Sequence, residues 1–168
     1  MDRSDAILRF LEDAGIPYTL YCHEPKWTIE ECLKTPGLDQ SRATMCKNVF
    51  LCSRQQTAFY LMLLHPDRPF RTAEVSKLLG VSRLSFAPED TLPELLGLEK
   101  GAVSPLGLQF DKENRVSLVV DDALLRFEAL WFHPGVNTQS LEISAADFFN
   151  RYLPLVGHTY KALPLSPL

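Results

Sequence analysis

No apolar run in this chain of 168 residues approaches the ~18 needed to cross a bilayer. The opening MDRSDAILRF lacks the basic-then-apolar order of a secretory signal, so a cytoplasmic location is the expectation. Neither G-x-x-x-x-G-K-[ST] nor G-x-G-x-x-G occurs, which removes the phosphate-cradling loops of nucleotide hydrolases and dinucleotide-binding folds. A G-x-S-x-G nucleophile elbow is missing too. The histidines His23, His65, His133 and His158 stand alone, without H-x-x-x-H or H-E-x-x-H spacing, so no metal site and no cofactor are expected. The four cysteines, Cys22, Cys32, Cys46 and Cys52, form no C-x-x-C pair and read as free thiols. The adjacent carboxylates Glu30-Glu31 and Asp121-Asp122 read as solvated rather than as an acid–base pair.

What is present is ordinary globular material, 46% hydrophobic and 23% charged, of a length that suits one domain over 1–168. The net charge of -4 does not suit a protein that coats nucleic acid, and DNA is not an expected partner. Its distribution is uneven. Residues 42–83 carry seven bases (Arg42, Lys47, Arg54, Arg68, Arg71, Lys77, Arg83) against two acids, Asp67 and Glu74. A basic middle on an acidic protein fits a small anionic contact such as one RNA end, or a scatter of charges over several solvated faces.

Hydrophobic spacing predicts a helix over 4–14, a strand at 18–22, and a second helix opened by the capping box Thr28–Glu31. Two apolar runs, 48–52 and 58–64, predict a hairpin, the second strand covered on both faces. A helix over 72–79 closes on Gly80, a short strand lies within 82–86, and a helical turn at 92–96 closes on Gly97. Residues 107–110 with 116–120 predict a second hairpin, and 129–133 with 140–143 a third. Ser144 with Asp147 caps a last helix, and the Pro-rich tail from 154 is expected to be loosely held. The sum is an α+β domain, a mostly antiparallel, barrel-like sheet of about seven or eight strands with short helices around it.

Few residues are placed for chemistry. Lys47, directly before an apolar strand, sits where a compact charge meets a phosphate, or where a lysine merely guards a strand end. Its neighbour Cys46 is a conceivable nucleophile with no visible base. In GAVSP, Gly101 to Pro105 either orients backbone N–H groups toward an oxyanion or makes a tight connector. HPGVNT puts His133, Asn137 and Thr138 at the end of an apolar strand.

Taken in order, KNVFL (47–51), RLSFA (83–87), LLGLEKGAVSPLGL (95–108), FHPGVNT (132–138) and HEPKWTIEE (23–31) resemble the YbaK / prolyl-tRNA editing-domain family. FHPGVNT and the overall length are similar to its free-standing branch, which deacylates alanyl-tRNA(Pro). The resemblance implies hydrolysis of the ester between a wrong amino acid and the terminal adenosine of tRNA. It implies that Lys47 contacts the RNA 3′ end and that Gly101, Ala102, Val103, Ser104 and Pro105 line the aminoacyl pocket. His133 belongs to the same pocket, with Asn48, Asn137 and Thr138 as further substrate contacts. The implied partners are the acceptor end of mischarged tRNA(Pro) and prolyl-tRNA synthetase, with no membrane. An aminoacyl ester is already activated, so a water assisted by the substrate's own 2′-hydroxyl replaces a protein nucleophile, in keeping with the lack of a triad. The residue before the lysine is commonly Thr or Val in that family; here it is Cys46. Cysteinyl-tRNA(Pro) is the alternative substrate, and a non-catalytic adaptor for tRNA or synthetase the alternative class.

Overall fold

A computed structural model describes residues 2–25 and 28–165. Lys26 and Trp27 of the HEPKWTIEE motif lie outside the described residues, as do 166–168 of the tail. Helix α1 (Arg3–Asp13) starts where the Asp2 side chain accepts from the Asp5 N–H, and it buries Ile7 and Leu11. Strand β1 (Thr19–Cys22) follows, then α2 (Ile29–Leu33), where the Glu31 N–H donates to Thr28 Oγ1 at 3.1 Å as the capping box requires. Next come β2 (Ala43–Met45), β3 (Lys47–Cys52), β4 (Phe59–Leu64), α3 (Thr72–Leu79), β5 (Ser85–Phe86) and α4 (Thr91–Leu96). A 3₁₀ segment, 105–110, leads to β6 (Val116–Asp121), and β7 (Ala129–Phe132) pairs with β8 (Gln139–Ser144). Helix α5 (Ala145–Asp147), capped by Ser144, runs through a π-helical turn (148–152) into α6 (Leu153–Leu155), and β9 (Tyr160–Leu163) completes the order.

The nine strands among the described residues make two mixed sheets, β1-β8-β7-β2 and β5-β3-β4-β6-β9. The α+β class stands, as do the β3–β4 and β7–β8 hairpins. Strand β4 is covered on both faces because its alternating residues serve two cores. Phe59, Leu61 and Leu63 pack with β6 and the helices α1 and α4, whereas Met62 and Leu64 pack with Leu51, Val75 and Val119 under α3.

Four expectations need correction. No closed barrel forms among the described residues, and three pairings, β2–β7, β4–β6 and β6–β9, are parallel. The hairpin expected from 107–110 and 116–120 does not exist. Ser104 accepts from the Leu106 N–H and Pro105 sets the first turn, so the chain winds into a 3₁₀ segment while β6 pairs with β4 and β9 instead. The tail is not loose through its whole length, since 160–163 form β9. Asp121 is not solvated: it is fully buried and ion-paired with Arg68, and it also accepts from the His65 and Ala123 N–H groups. Its oxygens thereby hold the turn after β4.

Candidate active site

The parallel pairing of β2 with β7 builds the site. Met45 lies opposite Trp131 in register, so two residues further along, Lys47 and His133 leave the sheet end together. Around them a cavity of about 420 Å³ opens, within the range of small-ligand pockets. Its polar lining is Thr28, Lys47, Asn48, Lys100 and His133, and the backbone of Gly101 comes in from the 97–105 loop. The rest is apolar or thiol: Cys32, Met45, Cys46, Val49, Val103, Trp131 and Phe132.

Lys47 begins β3, and its ammonium donates to the Arg68 carbonyl at 2.8 Å. The Arg68 guanidinium is itself held by buried Asp121, so the carbonyl that fixes the lysine belongs to a turn pinned from behind. The next residue, Asn48, donates from Nδ2 to the Cys46 carbonyl at 3.1 Å. That bond fixes the amide's orientation, and its Oδ1 is buried with no hydrogen-bond partner among the described residues. An unmatched buried acceptor costs about 1–3 kcal/mol, which a donor on a bound molecule offsets.

The His133 ring sits where β7 ends. One nitrogen, Nδ1, is 2.8 Å from the Gln139 carbonyl. A carbonyl only accepts, so Nδ1 carries the proton and Nε2 of the neutral ring is an acceptor, 4.0 Å from Cys32 Sγ. Burial pushes the His133 pKa below its ordinary value; the Gln139 bond opposes the shift and nearby His23 adds to it. His23 is fixed in turn by Ser140 Oγ at 2.8 Å. Thus the ring is a neutral acceptor at physiological pH.

Gly101 adopts φ +89°, a left-handed conformation that side chains disfavour, and so brings its backbone to the cavity wall. Lys100 beside it is tied to Glu89 at 2.9 Å, which raises its pKa.

Not all of the sequence-derived set meets here. Lys47, Asn48, Gly101, Val103 and His133 line the cavity, whereas Ala102, Ser104, Pro105, Asn137 and Thr138 do not. The Ala102 N–H is taken by the Glu99 carbonyl at 3.1 Å, and Ser104 and Pro105 are buried at the start of the 3₁₀ segment. They stiffen the loop rather than face the space. Thr138 is exposed, and its carbonyl accepts from the His23 N–H. Cys46 does line the cavity, but burial first, and Asp121 second, push its thiol far above the ordinary range. It is therefore no thiolate nucleophile. Cys32, Met45, Trp131 and Phe132 escaped sequence reasoning because their role depends on the unpredicted β2; the one available signal was the apolar ALWF run ending at His133.

The sequence pattern of the aminoacyl-tRNA editing domain matches residues 23–150. This chain belongs to the aminoacyl-tRNA editing domain family. Its relatives include the prolyl-tRNA editing protein ProX of Acetoanaerobium sticklandii, 33% identical over 98% of this chain and 99% of that protein. The prolyl-tRNA synthetase associated domain-containing protein 1 of Danio rerio is 31% identical over 95% of this chain and 85% of its own length. Among solved structures, that of a candidate trans-editing enzyme for prolyl tRNA synthetase superposes with a TM-score of 0.72 over 99% of both chains, at 18% identity. At that identity the likeness concerns the fold. Every residue that lines the cavity falls within the matched 23–150 segment of the family.

Proposed function

We propose that this chain is a trans-editing deacylase that hydrolyses the ester of alanine wrongly attached to tRNA(Pro). The observation that carries the reading is the meeting of Lys47, Asn48 and His133 around the Gly101 backbone in one small, apolar-floored cavity. The editing-family membership and the relatives named for prolyl-tRNA editing support it.

The terminal phosphodiester and ribose of the tRNA lie against Lys47. Asn48 Oδ1 accepts from the α-ammonium or a ribose hydroxyl, satisfying an otherwise orphaned acceptor. Water adds to the ester carbonyl, and the Gly101 backbone amide stabilises the oxyanion that forms; donors of this kind are worth ~100–1000-fold in rate. The water's proton passes to the 2′-hydroxyl system or to His133 Nε2. The tetrahedral adduct then breaks its bond to the ribose oxygen, which takes up a proton, releasing alanine and tRNA. Met45, Val49, Val103 and Phe132 limit the side chain admitted, which serves as a second sieve where binding alone separates one methylene by only ~10–200-fold. The tRNA acceptor end and prolyl-tRNA synthetase are the partners of this reading.

The test is multiple turnover on alanyl-, cysteinyl- and prolyl-tRNA(Pro), each with sub-stoichiometric protein. Hydrolysis of the alanyl ester, with the prolyl ester spared, is the expected result. Turnover of the cysteinyl ester alone would replace the substrate within the same chemistry. Binding without turnover on all three would leave an adaptor.

A further inference from the structure

The basic middle of the sequence is sorted by the fold. Arg42 is bound to Glu142 at 2.7 Å, and Arg68 is buried against Asp121, so both serve the architecture. Lys47 belongs to the cavity. What remains is Arg54, Arg71, Lys77 and Arg83, all exposed, and all carried by segments that flank β5 in the chain or join its partner strand β3. Arg71 is the residue before α3, and Lys77 lies in that helix's last turn. Arg83 reaches back toward Thr72 Oγ1 at 3.4 Å, and the Leu84 N–H donates to Ser76 Oγ, which ties α3 to the entry of β5. Arg54 is two residues past Cys52, the register partner of Ser85. Between 71 and 86 the sequence offers a single acid, Glu74.

Within this cationic rim sits an aromatic residue that the interior does not need. Phe86 is 67% exposed, and its ring lies 5.6 Å from that of half-buried Phe70. Among the described residues β5 is an edge strand, with β3 as its one neighbour in the sheet. Phe86 pairs with Leu51 in antiparallel register, so the two side chains share a face. Alternation along β3 puts Lys47 and Val49 on that same face. Both line the cavity. Four residues of strand separate Lys47 from Leu51, roughly 13 Å at ~3.3 Å per residue. Lys47 and the exposed Phe86 therefore lie on the same side of the sheet, with Leu51 between them buried under α3, the helix that carries the exposed Lys77 and follows the exposed Arg71.

We infer that the Phe70–Phe86 surface, with Arg54, Arg71, Lys77 and Arg83, is the docking track for the single-stranded RNA segment that leads into the cavity. This inference rests on the deacylase reading for the identity of the RNA, and names where that RNA lies. A flat ring for base stacking, backbone-neutralising cations and few acids are what sequence-tolerant single-strand recognition requires. The overall acidity of the chain confines such binding to this face.

The test is binding of an uncharged RNA hairpin with a short unpaired 3′ end, followed by fluorescence anisotropy across a salt series. Uncharged RNA separates docking from hydrolysis. Phe86→Ala is expected to weaken binding by about tenfold, within the ~5–150-fold span of one lost base stack. The triple variant Arg71→Ala, Lys77→Ala, Arg83→Ala is expected to flatten the slope of log K against log salt by about 2. A blunt-ended hairpin should bind wild type and Phe86→Ala equally weakly. Thermal unfolding of both variants checks the fold, which an exposed ring and exposed cations do not support. Wild-type affinity in Phe86→Ala, an unchanged salt slope in the triple variant, or no binding by the wild type would each overturn the docking track. So would variants that bind the hairpin normally but lose a prolyl-tRNA synthetase partner, since the face would then be a protein interface. If instead the wild type binds but hydrolyses no aminoacyl-tRNA, while the variants lose binding as expected, the docking track stands and the deacylase reading falls.

Discussion

Lys47 is held by a carbonyl rather than by a carboxylate, so its charge is directed without being neutralised. Replacing it with alanine is expected to lower deacylation by about 100-fold or more, with the thermal midpoint little changed, as read by single-turnover rates. Gly101→Ala acts differently. At φ +89° a side chain is strained, and on the proposed mechanism the shifted loop carries its amide away from the developing oxyanion. The expected signature is a fall in kcat larger than the rise in KM, measured on the same ester. His133 gives a pH prediction. Its folded pKa lies below the ordinary 6.5, so as pH falls through that value the unfolded chain takes up the proton first. The wild type should lose more stability between pH 7 and pH 5 than His133→Asn does, as followed by thermal unfolding. Activity should fall over the acid end too, because a protonated Nε2 no longer accepts. Equal pH slopes in the two proteins would remove the buried neutral imidazole from the account. At this scale the sequence was legible where a residue type stands beside a strand end, as Lys47 and His133 do. It was silent on Asn48 Oδ1, whose unsatisfied state is a matter of three-dimensional neighbours.

Among the elements, those with local signals were readable. Strands β3 and β4 carry period-two and continuous apolar runs on either side of a polar turn, and α1, α3 and α4 end on glycines in the left-handed region or just before one. Strand β2 was missed because three residues buried on both faces show no alternation. Strand β9 was missed because its partner lies some forty residues upstream and its own composition resembles a tail. Residues 107–110 suggest a strand because GLQF is largely apolar, but the decisive features of the 105–110 segment are Ser104 as cap and Gly107 as contact. A Cβ added at Gly107 would stand 2.8 Å from the Leu96 carbonyl oxygen and 2.7 Å from Leu98 Cδ1. Gly107→Ala should therefore destabilise the fold by about 1–3 kcal/mol, measured by urea unfolding, and should loosen the Gly101 loop along with it.

For the molecule as a whole, one buried pair joins the site to the larger sheet. Asp121 ends β6, Arg68 leaves the turn after β4, and Lys47 hangs on the Arg68 carbonyl. Asp121→Ala leaves the guanidinium buried without its counter-ion, at a cost of about 3–5 kcal/mol. Deacylation by the fraction that remains folded should also drop, because the lysine loses its anchor. A stable variant with full turnover would show that Lys47 needs no such support. This linkage was invisible in the sequence, where Asp121 reads as half of a surface acidic doublet.

The strand order has a consequence for the chain as it is being made. Strand β1 emerges early, yet its partner β8 is synthesised more than a hundred residues later. The β4–β6 half of the larger sheet likewise keeps an open edge until β9 has been translated. At ~5–20 residues per second, the nascent chain carries unpaired strands and a half-built cavity for several seconds. Neither sheet can therefore be completed before β8 and β9 have left the ribosome, so the cavity between the sheets is among the last parts of the fold to become whole.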